Sequence, residues 1–182
     1  MDETPTPVRF IHEQGQFSRV PPFETELLAV LPRLRRFAHS LSRNAADADD
    51  LCQRALEKAL NARAQWEPGT RMDSWMYRIM RNSWIDTIRA RARAAETFVG
   101  EAAGAAVAGD TAATVEAGVV LGEIAAAMNT LPDEQREAVA LVLVEGMAYK
   151  DAAAVLDIPM GTLTSRLGRG RQALMSLLGE AA

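Results

Sequence analysis

The sequence predicts an all-α protein of two small helical domains, residues 23–94 and 119–179. A flexible linker over residues 95–118 joins them, and a tail over residues 1–22 precedes them. Three observations predict this. Alanine and leucine dominate the 182 residues while aromatics make up 5%, a balance that favours helix over strand. Apolar residues recur at three- and four-residue steps through both predicted domains. Between them, AETFVGEAAGAAVAGDTAATVEAG is acidic, rich in Ala and Gly, and too poor in large apolar groups to bury a fixed core.

Each element follows from local chemistry. The first 22 residues hold four of the eight prolines and no sustained period, which predicts a poorly ordered arm. Leu27, Leu28, Leu31, Leu34, Ala38 and Leu41 have helical spacing, with a break expected at Pro32. A second helix is expected to start at Asp47 as N-cap, with Asp49 and Asp50 in its first turn. Its apolar face is Leu51, Ala55, Leu56, Ala59 and Leu60. The Pro68-Gly69 pair predicts a turn. A third helix over residues 72–93 buries Met72, Trp75, Met76 and Ile79, and presents Arg78, Asn82, Asp86, Arg89 and Arg93 together. These three helices form a bundle of the three-helix type.

In the second domain, Leu121, Ile124, Ala125 and Met128 share a face. Pro132 suits the first turn of a helix over residues 133–144, which Gly146 closes. A short helix over residues 149–156, a tight turn at residues 157–161 and a longer helix over residues 162–178 have helix-turn-helix spacing.

Composition narrows the chemistry. With 48% hydrophobic and 24% charged residues, collagen-like, amyloid-like and disordered chains are excluded. The single cysteine, Cys52, excludes an intrachain disulfide framework, and two histidines, His12 and His39, argue against a multi-His metal site. No apolar run approaches the roughly 20 residues of a membrane span, and the start lacks a basic-then-apolar signal pattern. A chain with no membrane insertion, in a reducing cytoplasm, is expected. Phosphate-binding, zinc-protease and serine-hydrolase motifs are absent, so neither an enzyme nor a cofactor or small-molecule substrate is expected.

The net charge of −4 is unevenly spread. Six arginines lie between residues 71 and 93 and three between residues 160 and 178, flanking an acidic middle. Basic stretches on helical patterns point to nucleic acid. Thr162, Thr164, Ser165, Arg166 and Arg169 fall where a recognition helix enters the major groove, and Arg can bond guanine edges bidentately. Arg78, Asn82, Asp86 and Arg89 form a second candidate face. Trp75 and Trp84 read as core residues. Trp66, beside the turn, is a candidate for an exposed or pocket role, with anchoring of the loop the alternative.

The ordered motifs DADDLCQRALEKAL, WEPGTRMDSWMYRIMRN, LPDEQREAV and YKDAAAVLDIPMGTLTSRLGRGRQAL resemble the extracytoplasmic-function (ECF) sigma factors, which carry only sigma domains 2 and 4. The resemblance runs from about Phe23 to Leu178, and LLAVLPRLRRFAHSL looks like the general-stress branch typical of alphaproteobacteria. It implies a protein that brings core RNA polymerase to promoter DNA and is regulated by an anti-sigma factor. It implies polymerase docking by Asp50, Leu51, Gln53 and Arg54. It implies minus-ten contacts by Trp66, Arg78, Asn82, Asp86 and Arg89, with a flipped base captured near residues 65–70. It implies minus-thirty-five contacts by Thr162, Thr164, Ser165, Arg166 and Arg169. Arg54, Thr164, Gly168 and Gly170 depart from the family pattern, and the two glycines are expected to loosen the last helix. The alternative is a sigma-like decoy that binds an anti-sigma factor without reading a promoter. A helix-turn-helix repressor would leave the docking and loop patterns unexplained.

Overall fold

The computed structural model describes residues 9–11, 17–19, 22–97 and 115–179. The helical expectation holds, with one small addition in the tail: β1 (Arg9–Ile11) and β2 (Phe17–Arg19) pair antiparallel, Phe10 opposite Ser18. Helices α1 (Pro22–Ser42), α2 (Ala45–Asn61) and α3 (Met72–Thr97) pack together, with a 3-10 turn (Arg63–Gln65) after α2. Helices α4 (Val115–Thr130), α5 (Asp133–Val139), α6 (Tyr149–Leu156) and α7 (Met160–Gly179) form the second group. The linker expected over residues 95–118 is narrowed from both sides by α3 and α4, and residues 98–114 lie outside the described residues.

Three local expectations are corrected. Helix α1 runs through Pro32 without ending. Pro32 leaves the carbonyl of Leu28 without its helical donor, but both residues face solvent, where water can supply one. Helix α2 begins two residues before Asp47, because Asn44 is the cap: its extended backbone turns the Oδ1 onto the Asp47 N–H at 2.8 Å. Asp47 is thereby free to accept from Arg91 Nη1 at 2.7 Å, joining the start of α2 to the far end of α3. That hydrogen bond holds the Asp47 carboxyl down to about 2. Helix α7 likewise starts at Met160, directly after a turn in which Asp157 takes the left-handed conformation at φ 51°.

The two groups of helices share one continuous core, from Phe23 and Phe37 in α1 through Met76 and Met80 in α3 to Leu141, Leu156 and Leu163. Their contact is also strongly polar. Glu145, whose side chain is fully buried, accepts from Arg33 Nε at 3.1 Å, from Arg36 at 3.1 Å and from the Tyr77 hydroxyl at 2.8 Å. Arg33 also donates to the Glu145 carbonyl at 2.8 Å and to Asp73 at 2.9 Å. Asp73 is bound by Arg71, which crosses back to Asp151. Burial alone would raise the Asp73 carboxyl, but the Arg71 guanidinium and the Ser74 N–H hold it low.

A reciprocal cation enters from the other side. Arg136 is buried, and it donates to the Ser40 carbonyl at 2.6 Å and the Leu41 carbonyl at 3.2 Å, at the C-terminal end of α1. The last carbonyls of a helix lack intrahelical donors and carry its negative end, so a guanidinium there is doubly favoured. Arg43 to Asp133 at 2.7 Å and Arg81 to Glu137 at 3.1 Å extend the seam.

Glu145→Ala should therefore loosen the two halves by about 3 kcal/mol, the low end for breaking a buried pair, since Arg33 and Arg36 keep some access to water. Small-angle scattering should show an increased radius of gyration, with α1 to α3 still helical by circular dichroism. An unchanged radius would contradict this role for Glu145.

Candidate nucleic-acid interface

Two solvent-facing surfaces carry the predicted residues. On α3, Arg78, Asn82, Asp86 and Arg89 are all exposed. Asp86 lies 3.6 Å from Lys58 of α2. Lys58, Ala62, Gln65, Trp75, Ile79 and Asn82 line a cavity of about 230 Å³ between α2, the 3-10 turn and α3. It combines an indole, an ammonium and two side-chain amides, which is the chemistry that stacks and hydrogen-bonds an unpaired base.

The aromatic assignment is exchanged. Trp66 does not line this cavity. It is buried, its ring edge-on to Phe23 at 5.6 Å, and its indole N–H has no hydrogen-bond partner. It anchors the loop to α1, the alternative that its position beside the turn left open. Trp75, expected in the core, is half-buried, touches Phe23 edge-on at 6.0 Å and walls the cavity. Trp84 is buried as expected, with Arg91 over its ring. A helical period separates an inner face from an outer one. It does not show that a residue at the boundary borders a concavity.

On α2, Asp50 and Gln53 face solvent, and Gln53 donates to Glu57 at 3.3 Å. Leu51 is fully buried, so it fixes the helix from inside and presents nothing to a partner. Arg54 is half-buried with its Nε unpaired. Cys52 is buried as a small apolar group, and burial pushes its thiol up.

At the start of α7, Thr164, Ser165 and Arg169 are exposed and Thr162 is half-buried. The Thr164 hydroxyl donates to the Met160 carbonyl at 3.0 Å, and Arg169 Nη2 donates to Ser165 Oγ at 3.1 Å. Arg166 differs: its side chain is 16% exposed and its Nη2 reaches Glu134 of α5 at 2.9 Å. The two glycines of α7 also differ. Gly168 borders open space, but a Cβ at buried Gly170 would stand 2.7 Å from Val139 Cγ2 and 3.4 Å from the Gln135 carbonyl. Gly170 thus lets α5 and α7 approach closely, which corrects the expectation that both glycines only loosen the helix.

The closed arrangement uses part of the α3 surface. Arg78 Nη2 lies 3.5 Å from the Ala154 carbonyl of α6, and Arg81 is held by Glu137. Burial pushes the Glu137 carboxyl up despite Arg81. Among the described residues, no group of three or more His, Cys, Asp or Glu side chains could hold a metal ion, and no helix is long and apolar enough to cross a membrane.

Comparison with known proteins places these surfaces in context. Residues 27–94 match the family description "Sigma-70 region 2" and residues 121–174 match "Sigma-70, region 4". The chain is 39% identical over 155 residues to the ECF RNA polymerase sigma factor EcfG of Rhodopseudomonas palustris, covering 84% of this chain and 83% of that one. It is 31% identical over 180 residues to the ECF sigma factor SigE of Mycolicibacterium smegmatis, covering 98% and 70%. Among solved structures, it is similar to the sigma factor RpoE of Bartonella quintana, crystallised with the anti-sigma factor NepR. The TM-score is 0.76 and the identity 35%, over 88% of this chain and 98% of that one. CnrH in complex with the cytosolic domain of CnrY shares the fold, with a TM-score of 0.63 at 24% identity.

The two glycines of α7 should respond in opposite directions. Gly168→Ala should stabilise by up to about 1 kcal/mol, the helix-propensity difference. Gly170→Ala should destabilise by about 1–3 kcal/mol, because Val139 and α5 must shift. Thermal melts of both variants check this, and equal effects would contradict it.

Proposed function

The chain belongs to the extracytoplasmic-function sigma factors, and from that premise we propose how its residues divide the work of promoter recognition. It is a regulatory transcription factor that directs core RNA polymerase to promoters; its partners are the core enzyme, promoter DNA and an anti-sigma factor. The chemistry of RNA synthesis is left to the polymerase. A stress-response role accords with the similarity to EcfG.

The observation that carries the residue-level reading is the exposed α3 face beside its cavity, in the part matched to region 2. Arg78 and Arg89 are suited to backbone phosphates of the minus-ten element, and Asn82 to a base edge. An extruded base enters the cavity, stacks on Trp75 and meets Lys58, Gln65 and Asn82. Asp86 acts through Lys58, and Trp66 acts by holding the loop. The first two turns of α7, with Thr162, Thr164, Ser165, Arg166 and Arg169, take the minus-thirty-five element. Asp50 and Gln53, exposed on α2, are the polar docking contacts to the polymerase, with Leu51 shaping the helix from below.

Geometry adds a condition. Twenty-five base pairs separate the nominal centres of the two elements, about 85 Å at ~3.4 Å per pair. A compact chain of this length has a radius of gyration of about 16 Å. The closed pair is too small to touch both elements, so reading a whole promoter requires the Glu145 and Arg136 contacts to open. The closed form is the state in which Arg78 and Arg81 are engaged by the second half of the chain.

Run-off transcription with core polymerase, on duplex and premelted promoter fragments, tests this division. Trp75→Ala should reduce open-complex formation by the ~1–3 kcal/mol of one stacked base, and a premelted template should recover much of the loss. Trp66→Ala should instead lower the melting temperature, with a cost of about 3–5 kcal/mol for a buried aromatic, and premelting should not rescue it. The reverse pattern would return the base contact to Trp66.

Arg169→Ala should weaken binding to upstream promoter DNA similarly for all sequences and lower the salt slope by about 1. Titrations at several salt concentrations check this. An unchanged affinity and slope would remove Arg169 from the interface.

A further inference from the structure

The two arginines on the DNA-facing edge of α7 are held in different ways. Arg169 is exposed and bonded only within its own helix, to Ser165 one turn earlier. Arg166 is tied to another helix: its aliphatic stem is largely buried and its Nη2 meets Glu134 Oε1 at 2.9 Å. Glu134 stands on a well-anchored base. Its neighbour Arg136 is plugged into the carbonyls of α1, and the absence of a Cβ at Gly170 draws α5 against α7. The carboxylate itself is 69% exposed, so it lies at the rim beside the surface presented to DNA.

We propose that Glu134 is a positioning residue for promoter recognition: it fixes the Arg166 guanidinium so that Arg166 discriminates bases, whereas the freer Arg169 contacts phosphate. This rests on the reading of α7 as the minus-thirty-five helix. A guanidinium carries five N–H donors in a rigid fork. Glu134 engages one nitrogen, which leaves donors for a bidentate bond to a guanine edge. Base discrimination requires an arginine in one orientation, because a mobile one also satisfies itself on phosphates and on wrong bases. Holding it beforehand removes rotamer freedom that DNA binding would otherwise have to remove. The opposite effect of Glu134 would be simple repulsion of phosphate by an exposed carboxylate, which acts equally on every sequence.

The two effects separate experimentally. The full chain, bound to core polymerase, is titrated with a promoter duplex that the wild type transcribes and with duplexes substituted singly through the upstream element. The variants are Arg166→Ala, Glu134→Ala, Glu134→Gln and the Glu134→Ala/Arg166→Ala double. Arg166→Ala is expected to flatten the preference at one or two base pairs. Glu134→Ala should flatten the same positions by about 3- to 10-fold, within the range of coupling between contacting side chains. Glu134→Gln, which keeps an acceptor oxygen, should retain most of the preference, and the double variant should be no worse than Arg166→Ala. A helix-dipole role for Glu134 would move the melting temperature of both Glu134 variants and leave base preference alone, and that result overturns the proposal. So does uniformly tighter binding with a steeper salt slope in Glu134→Ala. If Arg166→Ala leaves every duplex unaffected, the reading of α7 itself falls, and the proposal with it.

Discussion

A buried carboxylate needs donors on all sides, and Glu145 finds them only where the two halves of the chain meet. Arg33 and Arg36 lie one turn apart on α1 and Tyr77 points across from α3, so one side chain of the second half is enclosed by two helices of the first. Taking a carboxylate from water is costly unless such partners are in place. The arrangement is therefore close to all-or-none: the halves sit in register with Glu145 satisfied, or separate and hydrate it. Arg136 imposes the same condition with the opposite sign, because its guanidinium is out of water only while the end of α1 receives it. Burial lowers its hold on the proton, opposed by Asp133. Two oppositely charged plugs define a unique closed geometry more sharply than the shared apolar core, which tolerates sliding.

Much of the fold was legible because it is local. Leu27, Leu34 and Leu41 in α1, Leu51, Ala55 and Ala59 in α2, and Leu163 and Leu167 in α7 are buried where the three-to-four period put them. What escaped was set by distance along the chain or by fine geometry. Asn44 and Asp47 are both good caps, and only the backbone at residue 44 decides between them. Gly170 reads as a helix weakness until Val139 is seen against it. Glu145 and Arg136 carry no periodic signal of closure, since their partners lie about a hundred positions away.

The candidate site was legible to the same degree. The exposed face of α3 and the polar start of α7 follow from periodicity together with the family resemblance. Leu51 was misassigned because a family motif marks a helix and not the side of it that faces outward. Lys58, Gln65 and Trp75 were missed as cavity walls because they come from three successive elements, and no single-helix pattern unites them. Glu134 could have been suspected only from the acidic first turn of α5, which has an ordinary explanation in the helix dipole.

The segment from Ala140 to Val144 is wound as a π-helical turn, with the Glu145 N–H bonded to the Ala140 carbonyl at 2.9 Å. Gly146, at φ 68°, then reverses the chain so that the Met147 N–H reaches the Leu141 carbonyl. Such a turn accommodates one residue more than an α-helical turn would. Its consequence lies in which changes of length the chain can accept. Losing one residue here would let the turn relax to α-helix, swinging the following side chain by about 100° and drawing it back ~1.5 Å. The carboxylate would then miss its arginines although every residue type that matters was still present. Substitutions within the turn leave that spacing intact. A single-codon deletion does not, so the number of residues between α5 and Gly146 constrains the protein more tightly than their identity.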